Sequence, residues 1–364
     1  MIPDVAVERV EASAYTIPTD GPESDGTLEW DSTTLVLVEL TAGDETGLGY
    51  TYGNQSIAAL ISSKLADVVR GRDPMDVGAA WTAMSVALRN EGHSGHAMMA
   101  MSAVDAALWD LKARLLDVPL VALLPAVHDA VPIYGSGGFT SYPPERVGEQ
   151  LGGWVEQGIP RVKIKVGRSP SDDPARLDAA RKAIGDESEL YVDANGAFIW
   201  KQALEWAHRY RHEWSVTWFE EPVTSDDPDG LRLVRDQGPA GLDVAAGEYG
   251  YTLPEFLTWI DVVDCLQADV TRCGGITGML RVAALCESRQ IDLSGHCAPA
   301  LTVHALCGAT RLRHLEYFHD HVRIEGMLFD GALDPKDGAL TPDRSRPGFG
   351  LELKRADAER YRVA

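Results

Sequence analysis

The chain has 364 residues, 45% of them hydrophobic, and 55 acidic against 33 basic residues give a formal net charge of -22. That length suits about two domains, and a barrel alone takes about 250 residues. The charge disfavours phosphate backbones and anionic membranes as partners, so neither nucleic acid nor a membrane surface is expected. Five cysteines, Cys265, Cys273, Cys286, Cys297 and Cys307, form no C-x-x-C pair, which fits a reducing compartment better than a disulfide scaffold. No secretory pattern opens the chain and no apolar run approaches a membrane span, so a cytoplasmic location is expected.

Residues 1–128 read as an α+β unit. Val5 to Val10 is a short valine-rich run, and Thr34 to Leu40 (TLVLVEL) is strongly strand-like. Between them, Thr16 to Thr33 is rich in Asp, Glu, Gly, Ser and Thr and reads as a mobile loop. Helical patterns follow over Ile57–Val69, Val77–Leu88 and His96–Leu116; the last carries Asp105, Trp109, Asp110 and Lys112 among apolar residues.

From Val131 a short β-branched run and a helical stretch alternate. The expected strands are Val131–Ser136, Arg161–Val166, Leu190–Asp193, Val216–Glu220, Leu242–Ala246, Val263–Ala268, Asp292–Gly295 and His314–Tyr317. Eight such strands predict an α/β fold, a closed (β/α) barrel over residues 129–330. An open doubly wound sheet is disfavoured because no G-x-G-x-x-G follows an early strand. Residues 331–364, rich in Gly, Pro and Asp, read as an irregular tail packing back on the first unit.

Polar residues recur at one place in the repeat. Asp193, Glu220, Glu248, Asp269, His296 and Glu316 close or follow the third to eighth strands, at separations of 27, 28, 21, 27 and 20 residues. In such barrels the C-terminal strand ends converge on one mouth. Taken alone, Asp193 is as readily a helix cap as a ligand; six residues in the same position are not so easily explained by capping.

Three crowded carboxylates repel unless a cation neutralises them. Oxygen donors alone favour Mg²⁺, with Mn²⁺ as an alternative. Glu221 follows Glu220, and in an extended strand only one of the two points inward. Asn195 either steers a ligand or stabilises the turn with Gly196. Lys163 and Lys165 share the inward face of the second strand. Two buried ammoniums lower one another's pKa, which suits one to proton abstraction and the other to neutralising a substrate carboxylate. Asp269 and His296 end neighbouring strands and form a carboxylate–imidazole pair. Glu316, if protonated, donates a hydrogen bond to a substrate carboxylate; Ser136, among Gly135, Gly137 and Gly138, does so or is a plain turn serine. The chemistry implied is removal of the proton beside a carboxylate, through an enediolate, with a Lys or His base and Mg²⁺ stabilising the charge that develops.

These motifs together resemble the enolase superfamily, and within it the mandelate racemase-like subgroup. The matching elements are Lys163-Ile164-Lys165, Val192-Asp193-Ala194-Asn195, Glu220-Glu221-Pro222, Ala246-Gly247-Glu248, Gln267-Ala268-Asp269, Gly274-Gly275-Ile276, His296 and Leu315-Glu316-Tyr317, with Met98–Leu116 resembling the long helix before the barrel. The resemblance implies a modified (β/α)7β TIM barrel under an N-terminal α+β capping domain. It implies Mg²⁺ on Asp193, Glu220 and Glu248, Lys165 as one base, Lys163 against the substrate carboxylate, His296 with Asp269 as the second acid/base, and Glu316 as the electrophilic donor. It further implies a homo-oligomer, a dimer or an octamer.

Within that subgroup, dehydration of an acid sugar to a 2-keto-3-deoxy acid is the favoured expectation. The alternatives are a racemase or epimerase of a 2-hydroxy acid and, from another class, a non-catalytic sugar-acid-binding barrel. The stretch Thr16–Thr33 holds no arginine or lysine, which favours a monoacid, unless Arg89 or Arg272 supplies the charge. His93 and His96 line a pocket or decorate a turn; His319 and His321 face substrate or solvent. Cys297 points away from His296 if the backbone there is extended.

Overall fold

A computed structural model describes residues 5–364. The chain opens with an antiparallel sheet of β1 (Arg9–Ser24), β2 (Glu29–Ala42) and β3 (Glu45–Tyr52). Alternation in β2 divides its side chains between two cores. Leu35 and Leu37 pack toward the barrel, whereas Val36, Val38 and Leu40 pack under the helices. The stretch Thr16–Thr33 is therefore not the mobile loop its composition predicts. Its polar residues lie in the paired arms and tip of a long hairpin, where Glu23, Ser24 and Asp25 are buried. Valine-rich Val5–Val10 likewise enters the sheet only from Arg9.

The helical layer comprises α1 (Ser56–Leu60), a π-helical segment Ile61–Leu65, α2 (Ala66–Val69), α3 (Val77–Ala87) and α4 (His96–Leu115). Helix α4 lies on β3 because Gly47 and Gly49 present no side chain to it. An added Cβ at Gly49 falls 2.4 Å from the Ala103 carbonyl. Two buried acids of α4 hold distant segments. Asp110 accepts from the Leu48 and Phe349 amides at 2.8 and 2.6 Å and pairs with Arg114 at 2.7 Å; Asp105 accepts from Thr277.

Among the described residues, eight parallel strands form the barrel: β4 (Val131–Gly137), β5 (Arg161–Lys165), β6 (Glu189–Asp193), β7 (Trp218–Glu220), β8 (Asp243–Ala246), β9 (Cys265–Asp269), β10 (Asp292–His296) and β11 (Leu312–Phe318). β11 pairs with β4 and closes the ring, Glu316 opposite Tyr134. Helices α5 (Pro144–Glu156), α6 (Asp173–Ile184), α7 (Trp200–Trp214), α8 (Pro228–Gln237), α9 (Leu253–Trp259), α10 (Gly275–Arg289) and α11 (Pro299–Leu306) alternate with them. Helix α12 (His319–Leu328) follows β11.

Inside the ring, Tyr134, Tyr191, Trp218 and His314 pack ring against ring. These residues lie two positions before Ser136, Asp193, Glu220 and Glu316 on their strands. Period two therefore seats the polar layer on an aromatic floor. The tail makes short strands β12 (Phe329–Asp330), β13 (Ala339–Leu340) and β14 (Glu352–Leu353). Val363 donates its amide to the Ala14 carbonyl at 2.8 Å. Among the described residues no helix is long and apolar enough to cross a membrane, and all five cysteines are free and buried.

Candidate active site

Parallel register lines up the ends of the strands. Lys165 lies beside Asp193, Asp193 beside Glu220, and Asp269 beside His296. Glu248 follows β8 by way of Gly247, whose φ of +129° brings a Cβ position within 2.3 Å of the Gln267 carbonyl, a turn that favours glycine. Asp193, Glu220 and Glu248 are buried, and each offers an oxygen within 4.8 Å of the others'.

Electrostatics shows why this trio calls for a cation. Burial and the adjacent Asp193 push Glu220 up to about 8. Burial opposes ionisation of Asp193 too, but Lys165 and Lys163 hold it down at about 2. Glu248 Oε2 is buried and makes no hydrogen bond, with the His296 ring 3.3 Å away. Oxygen-only donors, one of them unsatisfied and another ionised with difficulty, fit a small hard divalent ion such as Mg²⁺.

The two lysines sit on the inward face as expected. Lys165 Nζ lies 2.5 Å from Asp193. Lys163 pairs with Glu220, lies 3.2 Å from Asp193 and 2.7 Å from Glu316, and stands over the Tyr134 ring. Their pKa values, however, do not fall. Burial lowers both, yet Asp193 raises Lys165, and Glu220 with Glu316 raise Lys163, each above the ordinary lysine value. The facing carboxylates outweigh the repulsion between the two ammoniums.

Across the mouth, His296 Nδ1 lies 2.8 Å from Asp269 Oδ2, and its Nε2 lies 3.3 Å from both Glu248 and Glu316. Burial works against the imidazolium, but Glu248, Glu316 and Asp269 raise it to about 9. Asp269 is steadied by the Thr271 amide and hydroxyl, each at 2.7 Å. Glu316 donates a hydrogen bond only when protonated, and its neighbours set that condition. Burial favours protonation, but Lys163 and His296 hold it well below the usual carboxylate range.

Ser136 is buried on the inner face with its hydroxyl unpartnered. Asn195 closes a turn onto Asp193, its amide donating at 2.9 Å, while its buried side-chain oxygen stays free. Arg272 lies 3.1 Å from the Glu248 carbonyl and 3.6 Å from Asp269. Arg89 is exposed beyond α3. His93 contacts the Ser85 carbonyl at 2.8 Å and lines a cavity with Trp81, Met98 and Tyr251, and His96 contacts the Ser56 hydroxyl at 3.2 Å. His321 is buried, stacked on Tyr52, and accepts from the Ala298 amide; His319 pairs with Asp20 at 3.0 Å.

At two strand ends the chain leaves the extended region. Glu221 (φ +39°) is buried and bonded to Ser225, while Glu220 alone of the two joins the trio. One expectation fails there. Cys297 (φ +52°) turns inward, its thiol 3.1 Å from Glu316 and 3.4 Å from His296 Nε2. Non-glycine residues in this region are strained and cluster at functional sites. Period two also accounts for a partner outside the ionisable set: Trp218, two before Glu220, donates to it from Nε1 at 2.9 Å.

A barrel that gathers three carboxylates between an amine and a carboxylate-backed imidazole defines a metal-dependent enzyme. Comparison with known proteins agrees. Residues 22–125 match the mandelate racemase / muconate lactonizing enzyme N-terminal domain, and residues 146–358 the enolase C-terminal domain-like family. The 3,6-anhydro-alpha-L-galactonate cycloisomerase of Streptomyces coelicolor is 32% identical, over 95% of this chain and 97% of that protein. A solved mandelate racemase/muconate lactonizing enzyme-like protein from Rubrobacter xylanophilus is 59% identical, covering 98% of this chain and 100% of that one, with a TM-score of 0.97. L-talarate/galactarate dehydratase from Salmonella typhimurium, liganded with Mg and L-lyxarohydroxamate, is 29% identical over 99% of this chain and 93% of that one, with a TM-score of 0.90. The chain belongs to the mandelate racemase / muconate lactonizing enzyme family of the enolase superfamily.

Proposed function

We propose that this enzyme uses Mg²⁺ to dehydrate an acid sugar to a 2-keto-3-deoxy acid. The observation that carries the reading is the placement of Lys165 and His296 on either side of one carboxylate trio, 2.5 Å from Asp193 and 3.3 Å from Glu248. The similarity to a magnesium-liganded sugar-acid dehydratase supports it. Asp193, Glu220 and Glu248 hold the ion, which, when bound, neutralises charge developing on the substrate carboxylate. Lys163 binds that carboxylate, and Ser136, Asn195 and Glu316 orient it. For Glu316 to donate, the arriving substrate charge must raise its pKa. Lys165, relieved of part of its ion pairing, removes the α-proton. His296, held protonated by Asp269 and its carboxylate neighbours, delivers a proton to the leaving β-hydroxyl.

Residues 1–128 and 331–364 act as the cap over a barrel of 129–330, a division supported by the Val363–Ala14 and Phe349–Asp110 bonds. A monoacid is favoured because the cations near the β1–β2 hairpin are already engaged. Arg168 pairs with Glu29, Arg323 with Asp320, and Arg146 stacks on Tyr142.

A second reading, racemisation or epimerisation of a 2-hydroxy acid, is favoured by the two-sided placement alone, since it needs no leaving group. Incubation with Mg²⁺ and a panel of acid sugars in D₂O separates them. Dehydration yields a keto acid that reacts with semicarbazide; epimerisation yields deuterium at C2 without keto acid. Neither signal with any acid sinks both readings and leaves a binding protein.

A further inference from the structure

A second group of metal-type ligands lies at the rim, on residues that the chemistry above does not use. Asp20 and Glu23 come from the end of β1, where the pairing with β2 shifts register between Pro18 and Glu23. His319 is the first residue of α12. Each of the three offers a ligand atom within 4.8 Å of the others'. Asp20 Oδ2 and His319 Nε2 are 3.0 Å apart. That separation approaches the edge of a tetrahedron built on bonds of about 2.0–2.1 Å.

Glu23 is the telling member. It is 0% exposed, its Oε2 accepts from Trp30 at 2.9 Å, and its Oε1 has no partner at all. Burial and the nearby Asp320 push this carboxyl up to about 8. The surrounding cations do not satisfy it. Arg146 reaches Asp20 only at 3.7 Å and bonds to Tyr142; Arg323 is spent on Asp320 at 2.6 Å and on the Pro18 carbonyl at 2.7 Å. A buried oxygen without a donor requires either its own proton or a cation.

We propose that Asp20, Glu23 and His319 bind a second divalent cation of the zinc class, separate from the ion of the Asp193–Glu220–Glu248 trio. Imidazole nitrogen and carboxylate oxygen are both donors that Zn²⁺ takes, and water completes a site with three protein ligands. Bound there, the ion ties the β1–β2 hairpin to the start of α12 and so fixes the cover to the barrel that carries the active site.

The test uses Mg²⁺-saturated enzyme with added Zn²⁺. Anomalous diffraction at the zinc edge is expected to show a peak among Asp20, Glu23 and His319, and equilibrium dialysis is expected to find one Zn²⁺ per chain beyond the Mg²⁺. Glu23→Gln and His319→Gln should each remove the peak and weaken this binding by about tenfold or more. His319 is only partly buried, so its variant keeps the test decisive if Glu23→Gln does not fold. Zinc found only at the trio or at Cys297 and His296, or binding undiminished in both variants, overturns the proposal.

Discussion

Asp269 and His296 stand opposite one another in the parallel pairing of β9 and β10, and their side chains meet at 2.8 Å. The register of the sheet thus sets the imidazole orientation: with Nδ1 held by the carboxylate, Nε2 is left for the mouth. Asp269→Asn keeps the shape and removes the charge. Its expected effect is a fall in kcat of about 10²–10⁴-fold, the usual worth of a positioned acid or base. The pH–rate profile gives the finer check. His296 is raised partly by Asp269, so the group assigned to it should titrate lower in the variant. An unchanged profile would assign that limb to another residue.

Removal of the ion is the next expectation. Chelation should abolish turnover, and Mg²⁺ should restore it. Because the ion binds the folded trio and not the unfolded chain, added Mg²⁺ should also stabilise the fold, by about 2.7 kcal/mol at a hundredfold excess over Kd. Thermal melts across a Mg²⁺ titration read this directly. Glu220→Gln should flatten that response, and a chelated enzyme with full activity would refute the metal assignment.

The parts of this site legible in the sequence are those governed by period two in a buried strand. Lys163 with Lys165, and the strand-end positions of Asp193, Glu220, Asp269, His296 and Glu316, follow once the barrel is recognised, because register carries each to the same rim. What lay beyond the sequence depends on backbone leaving that period or on long-range crowding. Cys297 enters the site because its φ is +52°, and nothing in a Cys-Ala-Pro run announces that. Glu23 is buried although its neighbours are polar, because the hairpin packs its tip on the barrel: the Ser24 carbonyl accepts from the Thr140 amide at 2.8 Å. The direction of the lysine pKa values is not legible in the sequence, because the spacing shows the two like charges whereas only the closed barrel brings Asp193, Glu220 and Glu316 against them.

His304, on α11, gives a prediction for stability. Its ring is 1% exposed, both nitrogens lack partners, and it packs edge-on to Phe349 with centroids 5.2 Å apart. Burial lowers it from 6.5 to about 4. At this ring the folded state therefore binds fewer protons than the unfolded state between those values, and the ring's contribution to stability must fall as pH drops from 6.5 toward 4. The loss attributable to this ring is about 3 kcal/mol. His304→Phe should keep the packing, and its denaturant midpoint should gain on that of the wild type as pH falls through that window. His321, lowered to about 3, acts the same way in both proteins, and Glu23, Glu220 and Glu325, raised to about 8, act against it in both, so the difference between the two curves isolates His304.

The close approach of β3 and α4 makes the last prediction. Gly49 lies where a Cβ meets the Ala103 carbonyl and the Ala107 amide, each at 2.4 Å, and the Ala106 methyl at 2.9 Å. Two of those three contacts are backbone, which cannot rotate aside as a side chain tip would. Gly49→Ala must therefore push the helix off the sheet rather than repack one residue. α4 also carries Asp110, which holds both the Leu48 and Phe349 amides, so the displacement spreads to the tail. Overpacking of this kind costs about 1–3 kcal/mol and occasionally more; the upper part of that range is expected here. Gly78→Ala is the control, since its Cβ would meet nothing within 4 Å and it lies in helix α3, where alanine is the better helix former. Urea midpoints should separate the pair, with Gly49→Ala falling and Gly78→Ala holding or rising. Equal midpoints would mean that α4 can shift on β3 at little cost, and that the glycines there do not set the distance between helix and sheet.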